Sequence, residues 1–101
     1  MKPDAEDFSQ PILSGEAPSD YERYLRTDEL LALQKSADEQ AHRDELLFQT
    51  VHQASELWLQ LAWTEAEQAT RLIETGELQA AERLLRRSLS CLDYVIAQLE
   101  M

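Results

Sequence analysis

DELLFQTVHQASELW, residues 44–58, decides how the chain is read. Leu47, Val51, Ala54 and Trp58 recur at steps of four, three and four, the signature of an amphipathic helix with one core-facing stripe. The pattern continues through Leu61 and is broadened by Leu46, Leu57, Ala62, Ala69, Leu72 and Ile73. A helix from about His42–Asp44 to Glu74 is predicted, a rod of roughly 46 Å at about 1.5 Å per residue. The ETGEL segment then interrupts it, with Gly76 placed for a left-handed C-cap. Beyond it, Leu78, Ala81, Leu85, Ser88, Leu92, Val95 and Leu99 again step in threes and fours, flanked by Leu84, Leu89 and Ile96. The short connection makes the two long helices antiparallel neighbours.

On the N-terminal side, YERYLRTDELLALQ gives a short helix. Thr27 is its N-cap, and Asp28 and Glu29 suit the positive end of its dipole. Leu30, Leu31 and Leu33 are its buried side, and the helix ends near Ser36. Residues 1–20 combine Pro, Gly, Ser and acids and read as a flexible arm preceding a helical domain over 21–101. No internal repeat and no alternating strand pattern occurs, so the fold class is all-α: a short N-terminal helix plus two long antiparallel helices.

The composition limits what such a domain does. A chain of 101 residues, 44% hydrophobic and 29% charged, is one small globular domain. Its net charge of −11 argues against nucleic acid and against an anionic membrane surface. No window approaches the ~20 apolar residues of a membrane span. The acidic N-terminus lacks the apolar core of a secretory signal, and Cys91 is the only cysteine, which together fit the cytoplasm. Cys91 itself reads as a small apolar helix residue, and Arg86 and Arg87 as a solvated, salt-laced surface. DYVIAQLEM is still periodic at Met101, and the wide apolar faces of three helices bury poorly alone; a partner chain or further sequence is expected to complete the core.

Catalytic toolkits are nearly absent. There is no glycine-rich phosphate loop, no CxxC, no nucleophile elbow and no HExxH. His42 and His52 stand roughly 80° apart around a helix and about 15 Å apart along it, so they do not share a metal. His52 lies with Phe48, Ser55 and Leu59 on a strip rotated from the core stripe. Periodicity leaves two readings open: a hydrogen-bonded histidine at the edge of the core, or an imidazole facing a ligand.

A resemblance favours the second reading. Tyr21, Tyr24 and Leu25, then Leu30, Leu31 and Gln34, then His42, Asp44, Glu45, Leu47 and Phe48, then His52, Gln53, Glu56, Leu57 and Trp58 resemble, in order and spacing, the N-terminal half of tryptophan 2,3-dioxygenase. The match covers roughly residues 21–63, with Arg43 as one extra residue and Gln60 where the family often has lysine. The resemblance implies an all-helical, haem-dependent homotetramer that inserts both atoms of O2 across the indole C2–C3 bond of L-tryptophan, giving N-formylkynurenine. It places His52 as the distal histidine that hydrogen-bonds the indole N–H, and Phe48 as the aromatic packed on that indole. It puts Tyr21, Tyr24 and Leu25 on a segment reaching a neighbouring subunit's pocket. The family's substrate-carboxylate arginine and its haem-ligating histidine belong to later segments that are not in these 101 residues. The expected role is therefore the distal wall of a haem and aromatic-substrate pocket, completed by self-association into at least a dimer or by a second chain. The runner-up is a non-catalytic helical dimerisation or interaction module derived from that family.

Overall fold

The computed structural model describes residues 10–101, and all regular structure there is helical. In order come α1 (Asp20–Leu25), α2 (Thr27–Leu31), a single 3-10 turn (Ala37–Glu39), α3 (Glu45–Glu74) and α4 (Leu78–Leu99). The all-α class with two long helices is as expected. The chain divides into two compact units, Met1–Gln40 and Ala41–Met101.

In the first unit a helix begins earlier than the sequence reading placed it. Ser19 is extended and caps α1: its hydroxyl accepts the Glu22 backbone N–H at 3.2 Å and donates to the Glu22 carboxylate at 2.8 Å. The serine hydroxyl thereby satisfies one of the orphan N–H groups of the first turn and is itself held by the Glu22 carboxylate. Residues 1–9 of the expected arm lie outside the described residues. Between Pro11 and Pro18 the backbone bends and is tied to α1. The Asp20 carboxylate accepts the backbone N–H groups of Ile12 and Leu13, each at 2.8 Å, and the Arg23 guanidinium donates to the carbonyls of Ala17 and Leu13 at 2.6 and 2.7 Å.

Arg26 separates α1 from α2 with a φ of 56°, the left-handed conformation that non-glycine residues rarely take. Its guanidinium pairs with Glu29 through two hydrogen bonds one turn on. The single helix expected from Thr27 to near Ser36 is therefore replaced by two short ones, with Thr27 the first residue of α2 and Arg26 at its N-cap. Neither buries a residue, and Leu30, Leu31 and Leu33 are exposed rather than core-facing. A five-residue helix has no length over which to close a core.

The second unit is the α3–α4 hairpin, built on a compact stop signal. Gly76 takes φ 82°, its N–H bonds the Ile73 carbonyl at 3.1 Å, and the Glu77 N–H reaches back to the Leu72 carbonyl at 2.8 Å. This pair of bonds is the Schellman arrangement, and it requires a residue without a Cβ penalty at the left-handed position.

The hairpin closes on small residues, which corrects the expected core stripe. The α3 side of the seam runs Val51, Ser55, Trp58, Ala62, Glu65, Ala69, Leu72, in alternating steps of four and three, each buried or half-buried. The α4 side runs Ala81, Leu84, Ser88, Cys91, Val95, Gln98 in the same rhythm. Ala69, Ala81 and Cys91 are sealed, whereas Leu47, Leu61, Leu85 and Leu92, assigned to the core from sequence, remain about 40% exposed. Two rods touch along a line, and small side chains on that line let the backbones approach; the leucines then stand on its shoulders. The approach is close enough for the Ser88 hydroxyl to donate to the Ala62 carbonyl of the facing helix at 2.9 Å. Arg87 crosses to Glu65 at 2.8 Å, so it ties the helices rather than merely decorating a solvated side. Trp58 and Tyr94 meet with ring centres 4.8 Å apart.

At about 100° per residue, these ties also sort the rest of the hairpin into two faces. One carries the Glu65–Arg87 pair and Tyr94. The other carries Phe48, His52, Leu59 and Trp63 from α3 beside Leu85, Leu89, Leu92 and Ile96 from α4.

Two outcomes follow. Ala69→Leu, which forces a branched side chain into a fully enclosed seam position, lowers unfolding stability by about 1–3 kcal/mol in urea denaturation, whereas Leu89→Ala on the exposed shoulder stays within about 0.5 kcal/mol. The Arg26 hydrogen bonds hold the Glu29 carboxyl below the ordinary glutamate value, so this exposed pair contributes above that value and is lost as acid carries the pH through the lowered one. A side-chain carboxyl NMR titration of Glu29, moving up in Arg26→Ala, checks the sign.

Candidate functional site

One turn of α3 brings two of the candidate residues together. Phe48 and His52, four apart, stack with ring centres 4.0 Å apart and planes inclined by 26°. His52 Nδ1 lies 2.7 Å from the Phe48 carbonyl oxygen. A carbonyl only accepts, so Nδ1 carries the hydrogen, and the neutral ring presents Nε2 as a bare acceptor. Both side chains are exposed, Phe48 to 64%. The imidazole is thus held in rotamer and tautomer by its own helix, with its basic nitrogen pointing away from that backbone bond. It is not sealed among aliphatic side chains.

Ser55 leaves the strip on which sequence spacing had set it. Its hydroxyl donates to the Val51 carbonyl at 2.7 Å and the residue is half-buried in the seam, so its one donor hydrogen is committed to the helix backbone. Trp63 takes its place. It is 70% exposed, one turn beyond Leu59 on the face that holds His52. The sequence reading gave Trp63 no role; the signal for it was the seven–four spacing from His52 through Leu59. An open cleft of about 440 Å³ runs past Trp63, Ala66, Thr70 and Arg71.

Tyr21, Tyr24 and Leu25 lie on α1, in the other compact unit. All three are exposed, the two tyrosines to 70% and 76%, and so present rings and an aliphatic edge to solvent. A second cleft, of about 400 Å³, is lined there by Gly15, Glu22, Arg23, Arg26 and Glu29 among others. Neither cleft includes His52.

His42 is structural. Its Nδ1 accepts the Asp44 backbone N–H at 3.1 Å, at the entry to α3. Among the described residues no group of three potential ligands could hold a metal ion. Among the described residues no helix is long and apolar enough to cross a membrane.

A model of the tryptophan 2,3-dioxygenase family matches residues 6–101. The chain belongs to that family. Relatives named tryptophan 2,3-dioxygenase include one from Kineococcus radiotolerans, 45% identical over 67 residues, which are 66% of this chain and 23% of the relative. Others come from Xanthomonas campestris pv. campestris strain B100, 43% identical over 68 residues, and Bacillus thuringiensis strain Al Hakam, 43% identical over 67. In each case the match again covers about two thirds of this chain and 23% of the relative. The chain therefore spans about a quarter of the length of the tryptophan 2,3-dioxygenases it matches. The family match extends through α4, well past the segment on which the sequence resemblance rested. No solved structure matches.

The tautomer is directly measurable. Long-range ¹H–¹⁵N correlation at neutral pH is expected to show His52 with a protonated Nδ1 and a bare Nε2; the opposite assignment would remove the acceptor from the exposed edge of the ring.

Proposed function

We propose that this chain supplies one wall of an aromatic-substrate pocket in a tryptophan 2,3-dioxygenase assembly, acting on L-tryptophan or a related indole. The observation that supports it best is the Phe48–His52 stack: a fixed acceptor nitrogen beside an exposed aromatic ring, in a chain of this family. Nε2 of His52 accepts the indole N–H and orients the ring; in the reaction it holds that proton. Phe48 packs against the indole and excludes water from the hydrogen bond, which strengthens it. Tyr21, Tyr24 and Leu25 offer the apolar and phenolic edges that a neighbouring subunit's pocket takes up.

Haem is the cofactor that the family resemblance implies, and the fit of this chain to it is one-sided. The described residues give one open imidazole nitrogen beside an exposed phenyl ring, which fits the substrate side of a haem. They give no iron ligand: His42 Nδ1 is taken by a backbone N–H and His52 is the substrate's partner. When bound, the haem would supply oxygen activation; its iron ligand would have to come from another polypeptide segment, such as a second chain, since copies of these residues offer none.

A second reading is favoured by one observation, the breadth of exposed apolar surface on the hairpin. On that reading the chain is a helical interaction module and Phe48–His52 is surface.

Complementation separates the two. A family dioxygenase deleted for the segment that this chain matches is supplied with the chain in trans, and N-formylkynurenine formation is followed with haem and L-tryptophan. The oxygenase reading expects recovery of activity, and a loss of kcat/KM of about ten- to a hundredfold for His52→Ala. Association without oxidation supports the module; full activity in His52→Ala removes the role given to that residue.

A further inference from the structure

The apolar face that carries Leu59, Trp63, Leu85, Leu89, Leu92 and Ile96 is bordered on both edges by acids. Glu56 and Glu74 stand along the α3 edge, Asp93 and Glu100 along the α4 edge, and none has a basic partner among the described residues. The edge acids that do have partners, Glu67 and Glu82, are held by Arg71 and Arg86 one turn on. Arg87 is spent across the seam on the opposite side of the hairpin. The register set by Ser88 and Ala62 puts Glu56 and Asp93 at about the same height, one on each edge.

This charge pattern selects what covers the face. A second copy laid face to face sets one acidic edge on another in either direction, in a chain whose net charge is −11. Like charges against one another at an interface suppress that partner even where the apolar surfaces match. An anionic lipid surface is repelled for the same reason. A complementary occupant is apolar along its centre and basic along its flanks.

We propose that this face docks an amphipathic helix of another polypeptide segment, with an apolar stripe flanked by lysine or arginine. Leu89 and Trp63, both more than 60% exposed, are the central anchors, and Glu56 and Asp93 set the sign of the partner. The face is the one that also carries Phe48 and His52, but the docking itself needs neither haem nor indole, so its failure and that of the oxygenase reading are distinguishable; a homo-oligomer of that reading would use a different surface.

The test uses the full chain and two labelled helical peptides of about 21 residues, with the same leucine stripe but lysine or glutamate flanks, followed by fluorescence anisotropy. The lysine-flanked peptide is expected to bind, weakening at least about tenfold between about 0.05 and 0.5 M salt. Leu89→Asp is expected to weaken it at least about tenfold while leaving the far-UV circular dichroism unchanged, since Leu89 is outside the seam. The double change Glu56→Lys, Asp93→Lys is expected to move the preference to the glutamate-flanked peptide. Equal binding of both peptides, binding of neither, or a dimer in sedimentation that Leu89→Asp dissolves would each overturn the proposal.

Discussion

The line along which α3 and α4 touch is the constraint on which the rest depends. Alanine, serine and cysteine occupy it where sequence hydropathy favours leucine, and the backbones come close enough for Ser88 to bond the Ala62 carbonyl. That single bond spans 26 positions in sequence and fixes the register of one helix against the other. Burying a leucine is worth about 1.5–3 kcal/mol, so a hairpin that leaves most of its leucines on the shoulders, Leu72 and Leu84 excepted, forgoes much of the stabilisation its sequence contains. What it gains is approach and register, with apolar surface turned outward for other elements to cover. The same arrangement accounts for the exposed breadth of the hairpin and for the fact that a chain matching only about a quarter of its relatives' length still forms a defined unit.

The candidate site inherits its precision from α3 rather than from tertiary packing. Phe48 and His52 meet because residues four apart on a helix share a face, and the Nδ1 hydrogen bond is made to the helix's own backbone. Ring position and tautomer are therefore set before any partner arrives. A site whose polar group is pre-oriented loses less ordering entropy on binding than one assembled from loops. The tyrosines of α1 are a different case: exposed, on a short helix tied by Ser19, Asp20 and Arg23, they have no packing to hold their rings.

Hairpin, turn and His52 strip were legible because each rests on local spacing. Gly76 marked the turn, and the four–three rhythm marked both rods. The identity of the seam was not legible, for a definite reason. Leu61 and Ala62 are neighbours only about 100° apart, so a stripe drawn through the leucines and one drawn through the alanines fit the same periodicity. Weighting by hydropathy picks the leucines; contact geometry between two rods picks the alanines. Ser55 shows the same competition at one residue, since its hydroxyl had a carbonyl one turn back and took it. The start of α1 was readable in Ser19 and Glu22 but was masked by the prolines around it.

The two faces of the hairpin differ in charge as well as in shape, and this difference bears on how a distal-wall element works. The seam-crossing arginine pairs with Glu65 on one side, while Glu56, Glu74, Asp93 and Glu100 bordering His52's side have no basic partner among the described residues. An acidic border around an apolar strip repels a carboxylate-bearing ligand approaching over open solvent. On the proposed reading, an amino-acid substrate on that strip would therefore require a cation from elsewhere, both to neutralise the border and to hold the substrate's own carboxylate. Placing Phe48 and His52 on this face thus makes the same demand that the exposed leucines make. On the proposed reading, the wall would become a pocket only when a basic, apolar neighbour closes over it.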